Sequence, residues 1–211
     1  MICVSISGLD EIKGIPEQEV ELIELRLDQI GLEPELVYSR VPAGWKTIAT
    51  CRPGPYGEDT RKAWLKASMD LGATYIDLEI ESASHYMKEL KEHAESKGVE
   101  VIISYHNFEE TPGQELLTRK LKACFEMGGD IAKVTTLVNS REDVLSLFSL
   151  FDLPGRKVVL GMGSMGRIIR VMAPYLGAEF TFASARRGVE TAPGQLDFRQ
   201  LVELYKVIDE S

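Results

Sequence analysis

The sequence predicts an α/β protein that folds as a (β/α)8 TIM barrel, with residues 1–211 forming a single domain. Eight short segments are rich in β-branched and aliphatic residues, and each is followed by a stretch that suits a helix. The units recur at intervals of about 20 to 30 residues, and no Pro/Gly/Ser-rich linker divides them. A doubly wound open sheet is the competing architecture, but eight evenly spaced units favour closure. The chain lies near the lower size limit of the barrel, so its loops must be short.

The strands are predicted from short apolar runs bounded by turn residues. They cover residues 2–6, 22–27, 46–51, 74–79, 100–105, 130–135, 157–162 and 179–183. Because the strands of a parallel barrel are covered by helices, the apolar positions of each run are expected to point outward and the alternate positions into the barrel.

The helices are predicted from longer amphipathic stretches between these strands. They cover residues 58–71, 82–97, 112–127, 140–150, 165–176 and 195–209, with shorter helices near 16–20 and 32–39. Thr111-Pro112 and Ser140 are suited to helix starts, and Gly98 is suited to ending the 82–97 helix.

Composition and charge exclude several classes of function. The chain has 33 acidic and 24 basic residues, a net charge of −9, and no basic run, which argues against nucleic acid and anionic membranes as partners. No apolar run approaches the ~18 residues of a membrane span, and the short apolar N-terminus is not preceded by basic residues as in a signal peptide. The three cysteines, without a CxxC spacing, indicate neither a disulfide framework nor a zinc site. We therefore expect a cytoplasmic protein that binds a small-molecule substrate; the oligomeric state is left open, a homodimer included.

Charged residues fall on the inward positions of several predicted strands. In residues 21–28, for example, Glu24 and Arg26 lie opposite the aliphatic positions. The complete inward set is Glu24, Arg26, Asp28, Arg52, Asp77, Glu79, His106 and Lys133. Barrel interiors are ordinarily filled by Val, Ile and Leu, and a buried unpaired charge costs roughly several kcal/mol. A purely structural ion-pair network is one explanation. A catalytic site at the carboxyl ends of the strands is the interpretation we favour.

Lys133 and His106 are the residues on this face best suited to catalysis. Lys133 is flanked by aliphatic residues in mid-strand, where burial disfavours the ammonium form, and a neutral amine can attack a ketone to form a Schiff base. The alternative is a lysine paired with Asp77 or Glu79 for structure alone. His106 ends a predicted strand beside that of Lys133, which suits general acid/base catalysis, although a satisfied core histidine remains the alternative.

Seven segments carry a resemblance to a known family. They read ELRLD (24–28), TCR (50–52), DLE (77–79), SYHNF (104–108), IAKVTT (131–136), SMGRIIR (164–170) and TAPGQ (191–195). Together they resemble type I 3-dehydroquinate dehydratase (3-dehydroquinase), from the second strand to the last helix. ELRLD or DLE alone would be weak signals, whereas SYHNF and IAKV, whose His106 and Lys133 are 27 residues apart, together with APGQ are specific.

The resemblance implies a lyase of the shikimate pathway, in chorismate and aromatic amino-acid biosynthesis, that needs no metal or cofactor. It implies that Lys133 forms an imine with the C3 ketone of 3-dehydroquinate. His106 would remove a C2 proton, protonate the departing C1 hydroxyl and assist imine formation and hydrolysis, so that syn elimination of water yields 3-dehydroshikimate. The implied substrate-binding residues are Glu24, Arg26 and Arg52 for the ring hydroxyls, and Arg170, Thr191 and Gln195 for the carboxylate.

The sequence departs from the family pattern at two places. The family carries a glutamate in the loop after the Arg52 position, where it touches the catalytic histidine. Here that loop, residues 53–59, reads PGPYGED and has Tyr56 at the equivalent spacing. The residue that orients His106 is therefore left open. The family's serine before APGQ is Thr191, which keeps a hydroxyl.

Residues 161–166, GMGSMG, match the GxGxxG pattern of dinucleotide-binding proteins. Only 45 residues follow Gly166, too few for such a domain. A phosphate-binding turn after the seventh strand is an alternative. We favour a tight turn that brings Met165 and Arg170 toward the substrate.

Two further hypotheses concern metal binding and the motion of a loop. Asp77, Glu79 and Glu24 could bind Mg²⁺, but nearby basic residues make them better candidates for salt bridges. Residues 183–194, rich in Gly, Ala and Arg, are predicted to form a mobile flap over the barrel mouth.

Two alternative functions are left open. One is another Schiff-base barrel, such as an aldolase or transaldolase, and the other is a catalytically silent barrel that binds a carboxylate ligand or a partner protein.

Overall fold

The computed structural model describes residues 1–210 and contains, within them, one sheet of eight parallel strands. The strands are β1 (Ile2–Ile6), β2 (Leu22–Arg26), β3 (Lys46–Thr50), β4 (Tyr75–Glu79), β5 (Glu100–Asn107), β6 (Ile131–Leu137), β7 (Lys157–Met162) and β8 (Thr181–Ser184). Their order is β7-β6-β5-β4-β3-β2-β1-β8. The Glu179 N–H just before β8 donates to the Lys157 carbonyl of β7 (2.9 Å), which brings the two edge strands together. The predicted barrel is confirmed.

Helices follow the strands around the outside of this sheet. They are α1 (Leu9–Ile12), α2 (Leu27–Ile30), α3 (Pro34–Tyr38), α4 (Glu58–Asp70), α5 (Ser84–Lys97), α6 (Gln114–Glu126), α7 (Arg141–Phe148), α8 (Gly163–Met172) and α9 (Phe198–Asp209). Short 3₁₀ turns extend α7 through Ser149–Asp152 and α8 through Ala173–Leu176. Among residues 1–210, no helix is long and apolar enough to cross a membrane.

Of the two short helices that the sequence predicts, the one near 32–39 is confirmed by α3, whereas the one near 16–20 is wrong. Residues 16–20 form a turn, and the helix of that connection is α1, where the Glu11 carboxylate accepts hydrogen bonds from the Ser7 N–H and hydroxyl. The strand predicted over 22–27 ends at Arg26 because the next residues turn into α2, which the sequence reading missed. Elements of one turn carry too little periodicity to be recognised.

The long helices begin and end where local chemistry predicts. Ser140 and Asp143 form a capping box at the start of α7, and Gly98, at φ +67°, ends α5. The helix predicted from residue 112 instead begins at Gln114. Thr111 does not cap it, because its hydroxyl bonds to the Leu137 carbonyl at the end of β6.

The inward-facing residues divide the barrel interior into two ends. The lower end is an apolar plug formed by Cys3, Leu22, Ile48, Tyr75, Ile102, Ile131, Val158, Leu160, Phe180 and Phe182. Above it, toward the carboxyl ends of the strands, the same parity carries charged and hydroxyl side chains. The plug therefore forms the floor of a polar site at the mouth.

Candidate active site

A cavity of about 420 Å³ opens at the carboxyl ends of the strands, above the apolar plug. All eight residues that the sequence predicted for the site line it. These are Lys133 and His106, the predicted catalytic pair, and Glu24, Arg26, Arg52, Arg170, Thr191 and Gln195, the predicted substrate-binding set. The barrel thus brings together residues from positions 24 to 195 of the chain.

Lys133 projects from β6 onto the floor of this cavity, and its side chain is only 5% exposed. Its Nζ donates to Asp77 Oδ2 (2.9 Å) and lies 3.8 Å from Glu24 Oε1 and 4.2 Å from the centre of the Phe182 ring. Although aliphatic residues flank Lys133 along β6, its Nζ is paired with Asp77, one of the two acids that the sequence suggested as its partner. The inward positions of β2 and β4 supply the carboxylates that face the amine.

Asp77 is the centre of the ion-pair network. Its carboxylate is fully buried and accepts hydrogen bonds from Lys133, from Arg52 Nη2 (2.9 Å) and from Ser104 Oγ (2.6 Å). Burial alone would raise the pKa of Asp77, but Arg52 and Lys133 together hold it well below its usual range. Asp77 therefore acts as the fixed anion that orients both cations, as expected for a salt-bridge partner.

His106 lies near the end of β5, one inward position closer to the mouth than Lys133. The strand register pairs Ser104 with Lys133 and His106 with Thr135. The imidazole stacks on Phe108, with ring centroids 6.0 Å apart and an interplanar angle of 13°. Burial, followed by the positive charges of Arg52 and Lys133, lowers the pKa of His106 well below 6.5. The imidazole is therefore neutral, and able to accept a proton, at neutral pH.

Glu79, rather than the loop after Arg52, faces the imidazole. Within residues 1–210, His106 Nδ1 is buried without a hydrogen-bond partner, and Glu79 Oε1 lies 3.8 Å from it. In the loop after Arg52, Tyr56 packs on Trp64 with ring centroids 4.6 Å apart. Glu58, the first residue of α4, is hydrogen-bonded to a surface histidine of α5 instead. Tyr56, which spacing matched to the family's glutamate, is therefore engaged with Trp64 and not with His106.

Glu24 and Arg26 lie along β2 at one side of the cavity. Glu24 accepts hydrogen bonds from Ser5 Oγ (2.8 Å) and Thr50 Oγ1 (3.0 Å). Arg26 makes a two-point pair with Asp28, Nε to Oδ1 (3.1 Å) and Nη2 to Oδ2 (2.7 Å). These contacts fix one anionic and one cationic group in place, an arrangement that suits recognition of hydroxyl groups.

Arg170 enters the cavity from α8 and is 1% exposed. Its Nε donates to the Gly161 carbonyl (3.0 Å), whereas its Nη2 is buried without a hydrogen-bond partner. No carboxylate within residues 1–210 lies within ion-pair distance of it, and burial lowers its pKa to about 10. A buried guanidinium without an anion is costly to the fold, and it points to an anionic ligand.

The turn at 191–195 closes the same side of the cavity. The Thr191 N–H and hydroxyl donate to Gln195 Oε1 (2.8 and 3.2 Å), and Gln195 Nε2 lies 3.4 Å from Ser5 Oγ. The turn rests on the start of α8, where the Gly163 N–H donates to the Pro193 carbonyl (3.0 Å). The segment predicted as a flap is therefore docked at its carboxyl end.

The GMGSMG segment forms the junction between β7 and α8. A Cβ on Gly166 would lie 2.4 Å from the carbonyl carbon of Gly161, so both glycines serve the close approach of strand and helix. Met162, and not Met165 as expected, lines the cavity. The turn does bring Arg170 into the site, as the preferred interpretation required.

The magnesium hypothesis finds no support in the contacts. Glu24 and Asp77 face Lys133, and Glu79 lies 3.5 Å from Arg52 Nη1. Across the described part of the chain, no group of three or more His, Cys, Asp or Glu side chains is arranged to hold a metal ion.

Sequence reasoning missed several residues that line the cavity. Ser5 connects Glu24 to Gln195, Phe182 lies beneath the lysine, and Thr135 lies on the wall beside His106. Thr135 lies two residues after Lys133 on β6, so the alternation of inward and outward positions would have identified it as an inward residue. The first and last strands carry no inward charge that would mark Ser5 or Phe182 as site residues.

Comparison with known proteins agrees with this geometry. The family model described as Type I 3-dehydroquinase matches residues 2–211. A 3-dehydroquinate dehydratase from Methanocaldococcus jannaschii is 31% identical over 223 aligned residues, covering 99% of both chains. The crystal structure of the 3-dehydroquinate dehydratase from Aquifex aeolicus is 30% identical with a TM-score of 0.83, covering 98% of both chains. The enzyme of that name from Geobacillus kaustophilus, at 23% identity, shares the fold with a TM-score of 0.88 over 99% of this chain and 91% of its own. The chain therefore belongs to the type I 3-dehydroquinase family.

Proposed function

We propose that the protein is a lyase that dehydrates 3-dehydroquinate to 3-dehydroshikimate, a step of the shikimate pathway, through a Schiff base on Lys133. The observation that carries the proposal is the pairing, within one cavity, of a buried amine with a buried guanidinium that lacks an anion. The amine suits the ketone of a keto acid, and the guanidinium suits its carboxylate.

Imine formation begins with the transfer of a proton from the Lys133 ammonium to the neutral His106. The free amine then adds to the C3 ketone, forming the N–C3 bond. The ketone oxygen receives one proton from the attached nitrogen and a second from the imidazolium of His106, and the C3–O bond breaks as this oxygen leaves as water. The product is an iminium ion. Asp77 and Glu24, which lie 2.9 and 3.8 Å from the resting Nζ, stabilise this cation.

Elimination uses the same imidazole twice. His106 removes a proton from C2, and the electrons of that C–H bond flow toward the iminium nitrogen to give an enamine. The lone pair of the enamine nitrogen then re-forms the C=N bond while the C1–O bond breaks. The imidazolium gives its proton to the departing oxygen, which leaves as water, and the result is a conjugated iminium. Water adds to the resulting iminium, and hydrolysis frees Lys133 and the product.

Glu79 is the residue that we propose to orient His106. Its Oε1 is 3.8 Å from Nδ1, so a carboxylate there would stabilise the imidazolium as it forms. It acts through His106 and is a positioning residue. On the same proposal Arg170, Thr191 and Gln195 hold the substrate carboxylate, and the β2 and β3 side holds the ring hydroxyls through Glu24, Arg26 and Arg52.

Borohydride reduction in the presence of 3-dehydroquinate, followed by peptide mass mapping, tests the proposal. We expect the added mass on the peptide that contains Lys133, and none in Lys133→Met. Lys157 is a matched control, because it is as buried as Lys133 (5% against 4% exposed) but begins β7 at the opposite end of the barrel. Lys157→Met should still be trapped at Lys133. Added mass elsewhere, or none at all, would overturn the mechanism.

The two alternative functions give different outcomes. An aldolase would need a site for a substrate phosphate, and the GMGSMG turn is occupied by strand–helix packing and by the docked Pro193 carbonyl. A silent carboxylate-binding barrel would bind 3-dehydroquinate without producing the ultraviolet absorbance of the enone. Appearance of that absorbance with the wild-type protein separates our proposal from both.

A further inference from the structure

One buried hydroxyl in the cavity has no function in the reaction described so far. Within residues 1–210, five buried side chains have a polar atom without a hydrogen-bond partner: Tyr86, His106, Thr135, Arg170 and Ser184. Three of them line the cavity, namely His106, Thr135 and Arg170. The reaction uses the imidazole and the guanidinium, which leaves Thr135 Oγ1.

Neither neighbouring strand offers Thr135 a partner. Thr135 is 4% exposed, and its register partners are His106 on β5 and Leu160 on β7. Leu160 has no polar side-chain atom, and no hydrogen bond forms to the imidazole. Because a buried hydroxyl without a partner is unfavourable, the missing partner is expected to be a ligand in the cavity.

The position of Thr135 selects the part of the substrate that it can reach. It lies two residues beyond Lys133 on the same inward face of β6, about 7 Å nearer the mouth, and level with His106. A substrate ring bonded to Lys133 through C3 must place C2 and C1 at the height of Thr135 and His106, because His106 has to reach the C2 proton. Arg170, which reaches the cavity from α8 next to β7, draws the carboxylate on C1 to the same side.

We propose that Thr135 Oγ1 donates a hydrogen bond to the hydroxyl that leaves C1. The inference rests on the proposed function and adds a substrate contact to it. In a syn elimination the leaving oxygen lies on the same face as the C2 proton, so it faces the wall shared by Thr135 and His106. Thr135 keeps its own proton. The bond strengthens as negative charge develops on the oxygen, and it therefore acts in the elimination step.

Thr135→Val and Thr135→Ser test this contact. Valine keeps the shape, suits a β-strand and removes the unpaired hydroxyl, so we expect Thr135→Val to fold. We expect a single-turnover rate of enone formation about tenfold below wild type in Thr135→Val, with the rate of borohydride trapping at Lys133 within twofold of wild type. Thr135→Ser, which restores the hydroxyl, should keep at least half of the wild-type rate.

Each alternative outcome has a definite meaning. An unchanged enone rate in Thr135→Val, or trapping that falls in parallel with it, would refute the contact while leaving the lyase proposal intact. A serine variant as slow as the valine variant would also refute it. If the wild-type protein itself neither converts nor traps 3-dehydroquinate, the proposed function fails, and this inference fails with it.

Discussion

Replacing Arg170 with methionine should make the protein more stable and less able to bind its substrate. Arg170 is a fully buried cation that no carboxylate of the described chain neutralises. The fold therefore carries an electrostatic cost that only a bound anion can offset. Methionine is unbranched and fills similar space without a charge.

The magnitude follows from the environment of the guanidinium. Burial lowers the pKa of Arg170 from 12.5 to about 10, which corresponds to roughly 3 kcal/mol of disfavoured charge. Methionine removes that cost but loses the hydrogen bond to the Gly161 carbonyl, worth roughly 1–2 kcal/mol. The net gain in the free energy of unfolding is then about 1–2 kcal/mol, or a rise in Tm of roughly 3–6 °C. A substrate whose carboxylate is buried without a cation loses roughly 3 kcal/mol or more of binding free energy, so KM should rise about 100-fold.

Thermal unfolding and steady-state kinetics measure the two effects together. Arg167→Met on the same helix is the control, because Arg167 is exposed and does not line the cavity; it should change neither Tm nor KM appreciably. Borohydride should still trap Lys133 in Arg170→Met at high substrate concentration. A fall in Tm of several degrees with an unchanged KM would refute the reasoning, because it would make Arg170 a structural residue.

Two further predictions concern the base and the turn over the mouth. Because the pKa of His106 lies well below 6.5, the acid limb of the kcat/KM profile should fall below pH 6.5. Glu79→Gln should move that limb to lower pH and reduce kcat about tenfold, whereas Glu58→Gln, at the start of α4, should match wild type. A limb that does not move in Glu79→Gln would exclude the positioning function. Gly194→Ala should raise KM about tenfold, because at φ +74° its Cβ would lie 2.2 Å from a backbone oxygen of α8. Gly188→Ala, at φ +88° with nothing within 4 Å, should leave KM unchanged, and equal KM values in the two variants would argue against the docked turn.

Alternation along the strands made the barrel and most of its site predictable. Once a strand's outward face is recognised from its apolar residues, the inward face follows from geometry, and Glu24, Arg26 and Lys133 are found without knowledge of their partners. The partners depend on the relative registers of the strands. Lys133 meets Asp77 across 56 residues of chain, so the sequence names Asp77 and Glu79 only as alternative partners, and the strand registers decide between them.

Loops and one-turn helices were less predictable because their conformations depend on tertiary contacts. Spacing matched Tyr56 to the position of the family's glutamate, but in the structure Tyr56 packs on Trp64. The first helix forms at Leu9–Ile12, where the Glu11 carboxylate accepts a hydrogen bond from the Ser7 hydroxyl, and not near 16–20. Neither Trp64 nor Glu11 is marked in the sequence as a partner of these segments.

The charges of the site separate into two parts that correspond to the two charges of the proposed intermediate. In the first part, three basic residues lie on the floor and one wall together with four acidic residues. The basic residues are Arg26, Arg52 and Lys133, and the acidic residues are Glu24, Asp28, Asp77 and Glu79. This part carries an excess of negative charge, which suits the iminium of the proposed intermediate. Arg170 lies outside it, and no carboxylate among residues 1–210 pairs with its guanidinium. A keto acid bound through its ketone would place an iminium in the first part and its carboxylate beside Arg170, so that the substrate, rather than the protein, supplies the anion that Arg170 lacks. A neutral analogue that lacks the carboxylate should therefore bind weakly even though every contact to Lys133 remains available.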